Sequence, residues 1–583
     1  MNPRISHRFD FCVVGGGMAG VCAAISAARA GVKVALVQDR PVLGGNSSSE
    51  IRVHVCGADR HGKIPNVRET GILEELRLEN LRRNPQRSFS MWDTVLYEKA
   101  MAEPNLRLFL NCSCLDAKMD GAAGASVPNG RDKRIQSITG WQLTTQTYHT
   151  IEADLFADCS GDAILAPLTG AEFRVGREAR SEYGESIEPE VADKKTMGMT
   201  CLFQAKDMGS PQPFEPPAWA NDYPTEADLP RHHGWLEMGY WWVELGGEND
   251  SIHDTEKIRD ELLKITFGIW DHLKNHGDHG AENWALDWVQ FLPGKRESRR
   301  YVGDHVLTQN DIESEGRFSD IVAYGGWTMD DHHPAGFLYK GPPTIFHPAP
   351  SPYGISYRCL YSKNVENLMF AGRCASMSHA AMSSTRVMGT ASTMGQAVGA
   401  AGALAIKGKT SPREVEIKAL QESLLRQDAY LPWVKQEFSE LTRTAELKAS
   451  SGDPEPLRDG TNRPVGEDQH CWEGRIGDSI EYTWDRPRMT ASATLILDSA
   501  LNRLIAMSHH QKDNQLTHVP EEMTKDLRLE IRTSDGWKLW RNVKGNHQRL
   551  LRIEIGVPAT GVRATADSTW GSEKARVYAF YMD

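Results

Sequence analysis

Two histidines and an arginine in the second half of the chain have side chains suited to oxidising an alcohol. A base must take the hydroxyl proton while a hydride leaves the carbon, and imidazole suits that task near neutral pH. His332 follows two aspartates in WTMDDHHP, and His379 precedes Arg386 in SHAAMSSTRVMG. Among the candidate bases His332, His333, His379 and His54, we predict His379 and His332 as catalytic, with Arg386 as a catalytic positive charge; a purely structural role is the alternative for each.

A glycine-rich turn near the N-terminus has the chemistry of nucleotide binding. In FDFCVVGGGMAGVCAAISAARAGVKVALVQ, an apolar strand ends at glycines spaced G-x-G-x-x-G, and a helix of small residues leads to a second strand. This spacing allows a tight turn and close approach of the backbone to a pyrophosphate, which the helix N-terminus attracts. The residues predicted to contact the nucleotide here are Gly15, Gly17, Met18, Ala19 and Gly20.

The end of the second strand departs from the usual pattern. A carboxylate normally stands there to bind the ribose, whereas this chain has Gln38 followed by Asp39. An amide both donates and accepts hydrogen bonds, so we expect Gln38 to bind the ribose hydroxyls with Asp39 beside it. An accidental glycine pattern is the alternative.

Composition limits the classes of function. A chain of 583 residues is too long to fold around a single hydrophobic core, so we expect several domains. Its net charge of −12, without a basic run, argues against nucleic acid as a partner. The ten cysteines lie mostly in apolar segments, which predicts reduced, buried thiols. The first apolar run is interrupted by glycines and charged by Arg29 and Lys33, so we expect a cytoplasmic protein without a membrane span.

The texture of the sequence changes along the chain. Proline and tryptophan accumulate after residue 172, around an amphipathic helix near residue 265, and short alternating strands dominate after residue 445. We predict an α/β fold with a Rossmann-like domain, an inserted α+β substrate (cap) domain and a C-terminal all-β sandwich. The predicted boundaries are 1–171 and 355–410 for the Rossmann-like domain, 172–354 for the insertion, 411–445 for a helical connection beginning with Ser411 as N-cap, and 446–583 for the sandwich.

Three separated motifs carry a family resemblance. GGGMAG with LGGN, then FADCSGD, then NLMFAGR with its small-residue helix, resemble the nucleotide and flavin contacts of two-dinucleotide-binding-domain flavoproteins. Across residues 8–410 the chain resembles FAD-dependent oxidoreductases distantly related to fumarate reductase and tricarballylate dehydrogenase flavoproteins, and the C-terminal part resembles a galactose-binding-like sandwich. The resemblance implies FAD as cofactor. It implies further FAD contacts at Gly44, Gly45, Asn46, Ser47, Ser48, Arg52, Ser160, Gly161, Gly372, Arg373, Arg386, Gly389 and Thr390.

The resemblance also gives Arg386 a role. A reduced flavin is an anion near N1 and C2=O, and the helix N-terminus near Gly389 with Arg386 before it would stabilise that charge.

Three histidines have spacing compatible with a metal site. His272, His276 and His279 could face one another across a helix end, but Gly277 interrupts them. We therefore predict a solvated helix end and no metal.

Tryptophan suggests the substrate class. Eight of the sixteen tryptophans fall in the insertion, and aromatic faces stack on the C–H faces of sugars. We therefore expect a small-molecule substrate, a carbohydrate in the first instance; packing in a core is the alternative role of these side chains.

Three functions follow from these observations. The first is an FAD-dependent dehydrogenase of a CH–OH group in a sugar or glycoside, with an unidentified electron acceptor. The second is a CH–CH dehydrogenase or ene reductase on a carboxylic acid, whose carboxylate the arginines of RESRR and Arg358 would bind. The third is a glycan-binding protein with a degenerate flavin fold. The sequence is compatible with either a monomer or a homo-oligomer.

Overall fold

The computed structural model describes residues 2–120, 133–509 and 513–583. The strands are β1 (Arg4–Arg8), β2 (Phe11–Val14), β3 (Val34–Val37), β4 (Leu106–Phe109), β5 (Cys112–Met119), β6 (Ile135–Gln142), β7 (Thr147–Glu152), β8 (Leu155–Asp158), β9 (Phe173–Arg174), β10 (Met199–Thr200), β11 (Phe203–Asp207), β12 (Glu244–Leu245), β13 (Trp284–Val289), β14 (Gly294–Lys295), β15 (Arg300–Tyr301), β16 (Ile321–Gly325), β17 (Met329–His332), β18 (Thr344–His347), β19 (Tyr353–Ser356), β20 (Leu368–Phe370), β21 (Glu446–Ala449), β22 (Trp472–Arg475), β23 (Ser479–Leu497), β24 (Thr524–Thr533), β25 (Gly536–Val543), β26 (Leu550–Thr569) and β27 (Lys574–Met582). The helices are α1 (Met18–Arg29), α2 (Ile72–Arg83), α3 (Phe89–Met101), α4 (Leu165–Thr169), α5 (Arg180–Tyr183), α6 (Thr255–Asn275), α7 (Gln309–Glu313), α8 (His379–Thr385), α9 (Met388–Gly408), α10 (Ile417–Arg426) and α11 (Glu440–Arg443).

The chain forms two compact units, each built from separated stretches. The first unit comprises Met1–Gly57, Trp92–Val415 and Met507–Asp513, and the second comprises Ala58–Met91, Glu416–Ala506 and Asn514–Asp583. Residues 58–91, which the sequence-based boundaries assign to 1–171, thus belong to the second unit. The reason is the burial of apolar side chains, because Leu78 and Leu81 of α2 pack in the core of the C-terminal sheet.

A parallel sheet organises the first unit. Its strand order is β20-β8-β2-β3-β4, and the residues of β2, β3, β8 and β20 are all buried. Parallel strands covered on both faces consist of continuous apolar runs rather than alternating ones, as FCVV and VALV do. In parallel strands all carboxyl ends meet at one edge, so the turns after β2, β8 and β20 lie together.

Helices α1 and α9 approach each other at the distance of backbone contact. A Cβ built at Gly395 would lie 2.0 Å from the carbonyl oxygen of Ala19, and one at Gly399 would lie 2.2 Å from that of Ala23. Any larger side chain would force the two helices apart. This requirement explains the run of small residues in MGTASTMGQAVGAAGALAIKG.

The inserted region contributes short strands and one long helix. Ile258, Leu262, Ile265 and Ile269 of α6 are buried in a core that also contains Trp270. The amphipathic pattern of this helix is therefore confirmed, and Trp270 and Trp242 are core residues rather than candidates for sugar contact.

The second unit contains an antiparallel sheet of long strands. The strand order is β22-β27-β23-β26-β24-β25, and β21 pairs with β23. β23 and β26 pair along nearly their whole lengths, with register shifts between Thr483 and Arg488 and between Thr490 and Ser492. The predicted α/β fold with a C-terminal β-rich part is confirmed.

The start predicted for the helical connection, with Ser411 as N-cap, is wrong. Ser411 caps only a 3-10 turn, Pro412–Glu414, after which Val415 is extended with ψ 128°. α10 begins at Ile417, and Glu416 caps it by accepting from the amides of Lys418 and Ala419. The helix thus starts later, from a different cap.

We predict that Gly395→Ala destabilises the first unit, because the added methyl group would overlap the carbonyl of Ala19. We expect the free energy of unfolding to fall by about 1–3 kcal/mol, as in overpacked cores. Gly408→Ala is the control: it lies at the end of the same helix, and its nearest neighbour would be at 3.6 Å. Urea unfolding followed by circular dichroism measures both variants, and equal midpoints would contradict the prediction.

Candidate flavin-binding site and active site

The predicted nucleotide turn lies at the carboxyl end of β2. Gly15 has φ 101°, and a Cβ there would lie 2.4 Å from the amide nitrogen of Ser160. A Cβ at Gly20 would lie 1.8 Å from the carbonyl oxygen of Gly15. Both positions therefore require glycine. Buried Met18 begins α1, and Gly17, as its N-cap residue, has no side chain to cap the helix, so the positive end of the dipole is left for an anion.

Gln38 has a role in the turn itself. Its amide oxygen accepts a hydrogen bond from the Gly16 amide at 2.7 Å, and its amide nitrogen donates to the carbonyl of Val42 at 3.3 Å. Gln38 is buried, whereas the neighbouring Asp39 is exposed. The amide thus fixes the glycine loop through both hydrogen bonds. A carboxylate could accept the first bond but has no N–H with which to donate the second. Ribose binding by Gln38 and Asp39 stays a prediction.

The LGGN segment lies directly against the first glycine turn. The Gly44 amide donates to the carbonyl of Gly16 at 2.8 Å, and a Cβ at Gly45 would lie 3.1 Å from the Cα of Gly17. Ser47 is fixed by the indole of Trp92, which donates to its hydroxyl at 3.0 Å. The two parts of the first predicted motif, GGGMAG and LGGN, therefore form one backbone surface.

The other polar residues of this segment contact the inserted region or their own loop. Asn46 donates to the carbonyl of Lys295 at 3.2 Å, and the Ser48 hydroxyl accepts from the amide of Glu50 at 3.3 Å. Arg52 has φ 59°, a strained value for a non-glycine residue, and its guanidinium lies 4.5 Å from the ring centroid of Trp288. These contacts bring the insertion to the predicted flavin loop.

The turn after β8 is held by a buried carboxylate. Asp158 accepts from the amide and hydroxyl of Ser160, from the amide of Leu165 and from the hydroxyl of Tyr301. Burial raises the pKa of the Asp158 carboxyl in spite of these bonds. The carboxylate thereby fixes the direction in which Ser160 and Gly161 leave the strand.

Asp162 joins this turn to the third motif. It pairs with Lys295 at 2.8 Å and with Arg373 at 3.0 Å. Burial alone would raise its pKa, but the charges of Arg373 and Lys295 outweigh burial and lower it. A Cβ at Gly161 would lie 2.7 Å from the Arg373 guanidinium. Sequence reasoning identified Gly161 and Arg373 but missed Asp162 and Lys295.

The turn after β20 packs on the first glycine helix. Gly372 has φ 86°, and a Cβ there would lie 3.1 Å from the Cβ of Ala19. Gly389, in the first turn of α9, donates its amide to the carbonyl of Cys56 at 2.8 Å. The three predicted motifs are therefore brought together at one edge of the parallel sheet.

Three predicted FAD contacts carry buried polar atoms that lack a hydrogen-bond partner. They are Nη1 of Arg373, Nε of Arg386 and Oγ1 of Thr390, each without a partner within the described part of the chain. A buried donor without a partner costs about 1–3 kcal/mol, so such groups call for a ligand. Two donors and a hydroxyl at this edge fit the phosphates and the carbonyl-rich ring of FAD.

His332 lies between two carboxylates. Its Nδ1 is 2.7 Å from Glu244 and its Nε2 is 3.2 Å from Asp330. Burial would lower its pKa, but Glu244 and Asp330 outweigh burial and raise it. Arg386 donates to Asp330 at 3.0 Å, and Arg296 lies 3.4 Å from Glu244.

His379 has the same kind of environment. Its Nδ1 is 2.9 Å from Glu297 and its Nε2 is 3.3 Å from Asp331. Burial would lower its pKa, but Glu297 and Asp331 raise it well above the ordinary value. Glu297 also pairs with buried Arg300.

These contacts bear on the predicted role of both histidines. Two flanking carboxylates raise the pKa of each imidazole and favour its protonated form, which has no lone pair with which to accept a proton. The arrangement therefore favours buried cations over resting-state bases, and the catalytic roles of His332 and His379 stay predictions. Around His332, Arg296 and Arg386 face Glu244 and Asp330, so a protonated His332 would add one positive charge that these carboxylates do not balance.

Glu188 is an ionisable group that sequence reasoning missed. Burial raises the pKa of its carboxyl to about 7. One oxygen accepts from the amide of Ala380 at 2.8 Å, and the other is buried without a partner among the described residues. No sequence motif marks Glu188, because only the fold brings it to the start of α8.

Comparisons with known proteins agree with this geometry. The family model described as FAD dependent oxidoreductase matches residues 10–424. No curated protein matches the chain. Among solved structures, the chain is similar to a geranylgeranyl bacteriochlorophyll reductase-like protein from Thermoplasma acidophilum, with 12% identity over 73% of this chain and 85% of that chain and a TM-score of 0.32.

Two further structures resemble parts of the chain. The family 32 carbohydrate-binding module of Streptococcus pneumoniae EndoD is 20% identical over 25% of this chain and 99% of that chain, with a TM-score of 0.19. THI4 of Thermovibrio ammonificans is 16% identical over 32% of this chain and 76% of that chain, with a TM-score of 0.21. Of the helices that the structure describes, none has the length and apolar character needed to cross a membrane.

We predict that Thr390→Val weakens FAD binding by about 2- to 10-fold, the equivalent of one net hydrogen bond, because the partnerless hydroxyl would be lost. Thr393→Val is the control, since its hydroxyl already donates to the carbonyl of Thr390 at 2.8 Å. Titration of apoprotein with FAD, followed by flavin fluorescence, measures both. Unchanged affinity in Thr390→Val would contradict the contact.

We predict that His379→Gln destabilises the protein in a pH-dependent way. A histidine whose pKa is raised by folding contributes stability that is present below about pH 6.5 and is lost as pH rises through the folded-state pKa. The deficit of the variant is therefore expected to be about 3–5 kcal/mol near pH 6 and to shrink toward alkaline pH. Exposed His518 provides the control variant, His518→Gln. Urea unfolding at several pH values measures the deficit, and a constant deficit would contradict a protonated His379.

Proposed function

Because the chain belongs to the FAD-dependent oxidoreductase family, we propose that it is a dehydrogenase of a CH–OH group in a sugar or glycoside. The family match makes the protein an enzyme and sets aside the alternative of a glycan-binding protein with a degenerate flavin fold. The observation that carries the proposal is the aromatic lining that the insertion brings to the LGGN segment.

Two half-buried indoles, which pack against the outside of the inserted region's core, would provide this lining. Trp288 lies under the guanidinium of Arg52, and Trp241 lies 5.9 Å from His54 in an edge-to-face arrangement. Both differ from Trp270, which is fully enclosed in the core. An aromatic face beside cationic and hydroxyl groups matches a sugar, whose C–H face stacks while its hydroxyls form hydrogen bonds.

Oxidation of an alcohol requires a proton acceptor, and we assign that role to Glu188. FAD, when bound, supplies the acceptor for the hydride. The Glu188 carboxyl has a pKa of about 7, so an ionised fraction with a partnerless oxygen exists at neutral pH. His332 and Arg386, which both pair with Asp330, would supply the positive charge that stabilises an anion developing on the substrate.

The unbalanced positive charge favours a second candidate. Arg296, whose side chain is 10% exposed, donates to the hydroxyl of Thr200 at 2.6 Å and lies beside His332 and Arg386. A carboxylate substrate would neutralise this excess and form charge-assisted hydrogen bonds. CH–CH dehydrogenation, or the reverse reduction, of a carboxylic acid is therefore the competing function.

Anaerobic reduction of the bound flavin distinguishes the two candidates. The purified holoprotein is mixed with single sugars, glycosides and saturated dicarboxylates, and bleaching of the flavin absorption is followed over time. We expect sugars or glycosides to bleach the flavin. Bleaching by the dicarboxylates alone would establish the second candidate and overturn the first.

The same reaction tests Glu188. If its carboxylate takes the hydroxyl proton, the bleaching rate rises with pH through about 7 and then levels off. Glu188→Gln is expected to lower the rate by about 100-fold or more and to remove this dependence. A variant that keeps the rise would transfer the role to another group.

A further inference from the structure

Four metal-ligating side chains converge in the inserted region, and none of them is among the residues assigned to catalysis. They are Glu226, His233, His272 and His279, and one ligand atom of each lies within 4.8 Å of those of all the others. Glu226 and His233 come from the loop before β12, and His272 and His279 from the end of α6 and the turn after it. The sequence analysis considered His272, His276 and His279, but His276 instead faces Asp271 at 3.4 Å.

Three of the distances between ligand atoms are close to the edges of a metal-centred tetrahedron. The Nε2 atoms of His272 and His279 are 3.1 Å apart, and an oxygen of Glu226 lies 3.3 Å from His279 and 3.5 Å from His272. The other oxygen of Glu226 lies 2.9 Å from Nε2 of His233. With zinc–ligand distances of about 2.0–2.1 Å, the edges of a tetrahedron are about 3.3–3.4 Å.

Two of the three imidazoles are oriented as metal ligands usually are, whereas Nε2 of His279 also lies 3.2 Å from the carbonyl oxygen of His276. Nδ1 of His272 lies 2.6 Å from the carbonyl oxygen of Tyr223, and Nδ1 of His233 lies 2.7 Å from that of Arg231. Each ring therefore donates through Nδ1–H, which leaves the Nε2 lone pair directed at the common centre. Two such nitrogens in close contact repel each other unless a cation or a shared proton lies between them.

The chain also leaves room at this point. α6 ends at Asn275, and Gly277, with φ 100°, turns the chain back so that His279 returns to His272. A Cβ at Gly277 would lie 3.1 Å from Nε2 of His279 and 3.7 Å from Glu226. Gly277, which interrupts the histidine spacing in the sequence, is thus the residue that allows His279 to reach the other ligands.

We propose that Glu226, His233, His272 and His279 form a tetrahedral site for a divalent transition metal, with Zn²⁺ as the expected ion. Three imidazole nitrogens and one carboxylate oxygen are a ligand set that zinc favours. The ion fixes the loop before β12 to the C-terminal end of α6. Its role is structural, since all four protein ligands complete the coordination.

The test measures zinc bound to the full-length holoprotein purified after growth with added Zn²⁺. Inductively coupled plasma mass spectrometry is expected to find about one zinc per chain in the wild type and in His276→Ala. Glu226→Gln removes an exposed ligand and His279→Ala a largely buried one, and circular dichroism checks that both variants fold. Both are expected to lose at least about 10-fold in zinc affinity, measured by competition with a chelating dye.

Cobalt provides an independent measurement. Replacing zinc with Co²⁺ is expected to give the intense visible absorption of tetrahedral coordination in the wild type and in His276→Ala, and to give none in His279→Ala. Wild-type protein without bound zinc after dialysis against Zn²⁺ would overturn the proposal and leave a shared proton between His272 and His279. Loss of zinc in His276→Ala with retention in His279→Ala would also overturn it, in favour of Asp222, Asp271 and His276.

Discussion

Backbone contact between helices α1 and α9 is the constraint on which the flavin edge depends. Because Gly395 and Gly399 have no side chains, α9 lies against the carbonyls of Ala19 and Ala23, and its first turn comes close to the first glycine turn. That closeness places the third motif, with Gly372 over Ala19, beside the other two. A helix of ordinary residues would move Thr390 and Arg386 away by the thickness of a side chain.

Buried charge is the second organising feature of the first unit. His332 and His379 each bridge two carboxylates, and arginines complete both clusters. Such clusters are costly to bury and are tolerated where every group has a partner. The partnerless atoms of Arg386 and Glu188 are therefore informative, because they mark the sides from which a cofactor or substrate would complete the network.

The sequence predicted the elements whose signals are local. The glycine spacing from Gly15 to Gly20, the apolar strands and the small-residue helix all have a pattern within one stretch of chain, and the structure has these elements. The environments of His332 and His379 depend on Glu244 and Glu297, which are distant in sequence, so the pattern could not show that carboxylates flank both imidazoles and favour their protonated forms. The same holds for Glu226 and His233, which no spacing connects to His272.

The composition of the second unit has a consequence for the order of folding. Arg68 is fully buried, pairs with Glu74 and donates to the carbonyls of Ser499 and Ala500. These partners come late in the chain. Residues 58–91 leave the ribosome hundreds of residues before the strands of the sheet that covers Leu78 and Leu81. During synthesis, the apolar face of residues 58–91 stays uncovered until the last strands emerge. We therefore expect chaperones to bind the nascent chain during that time.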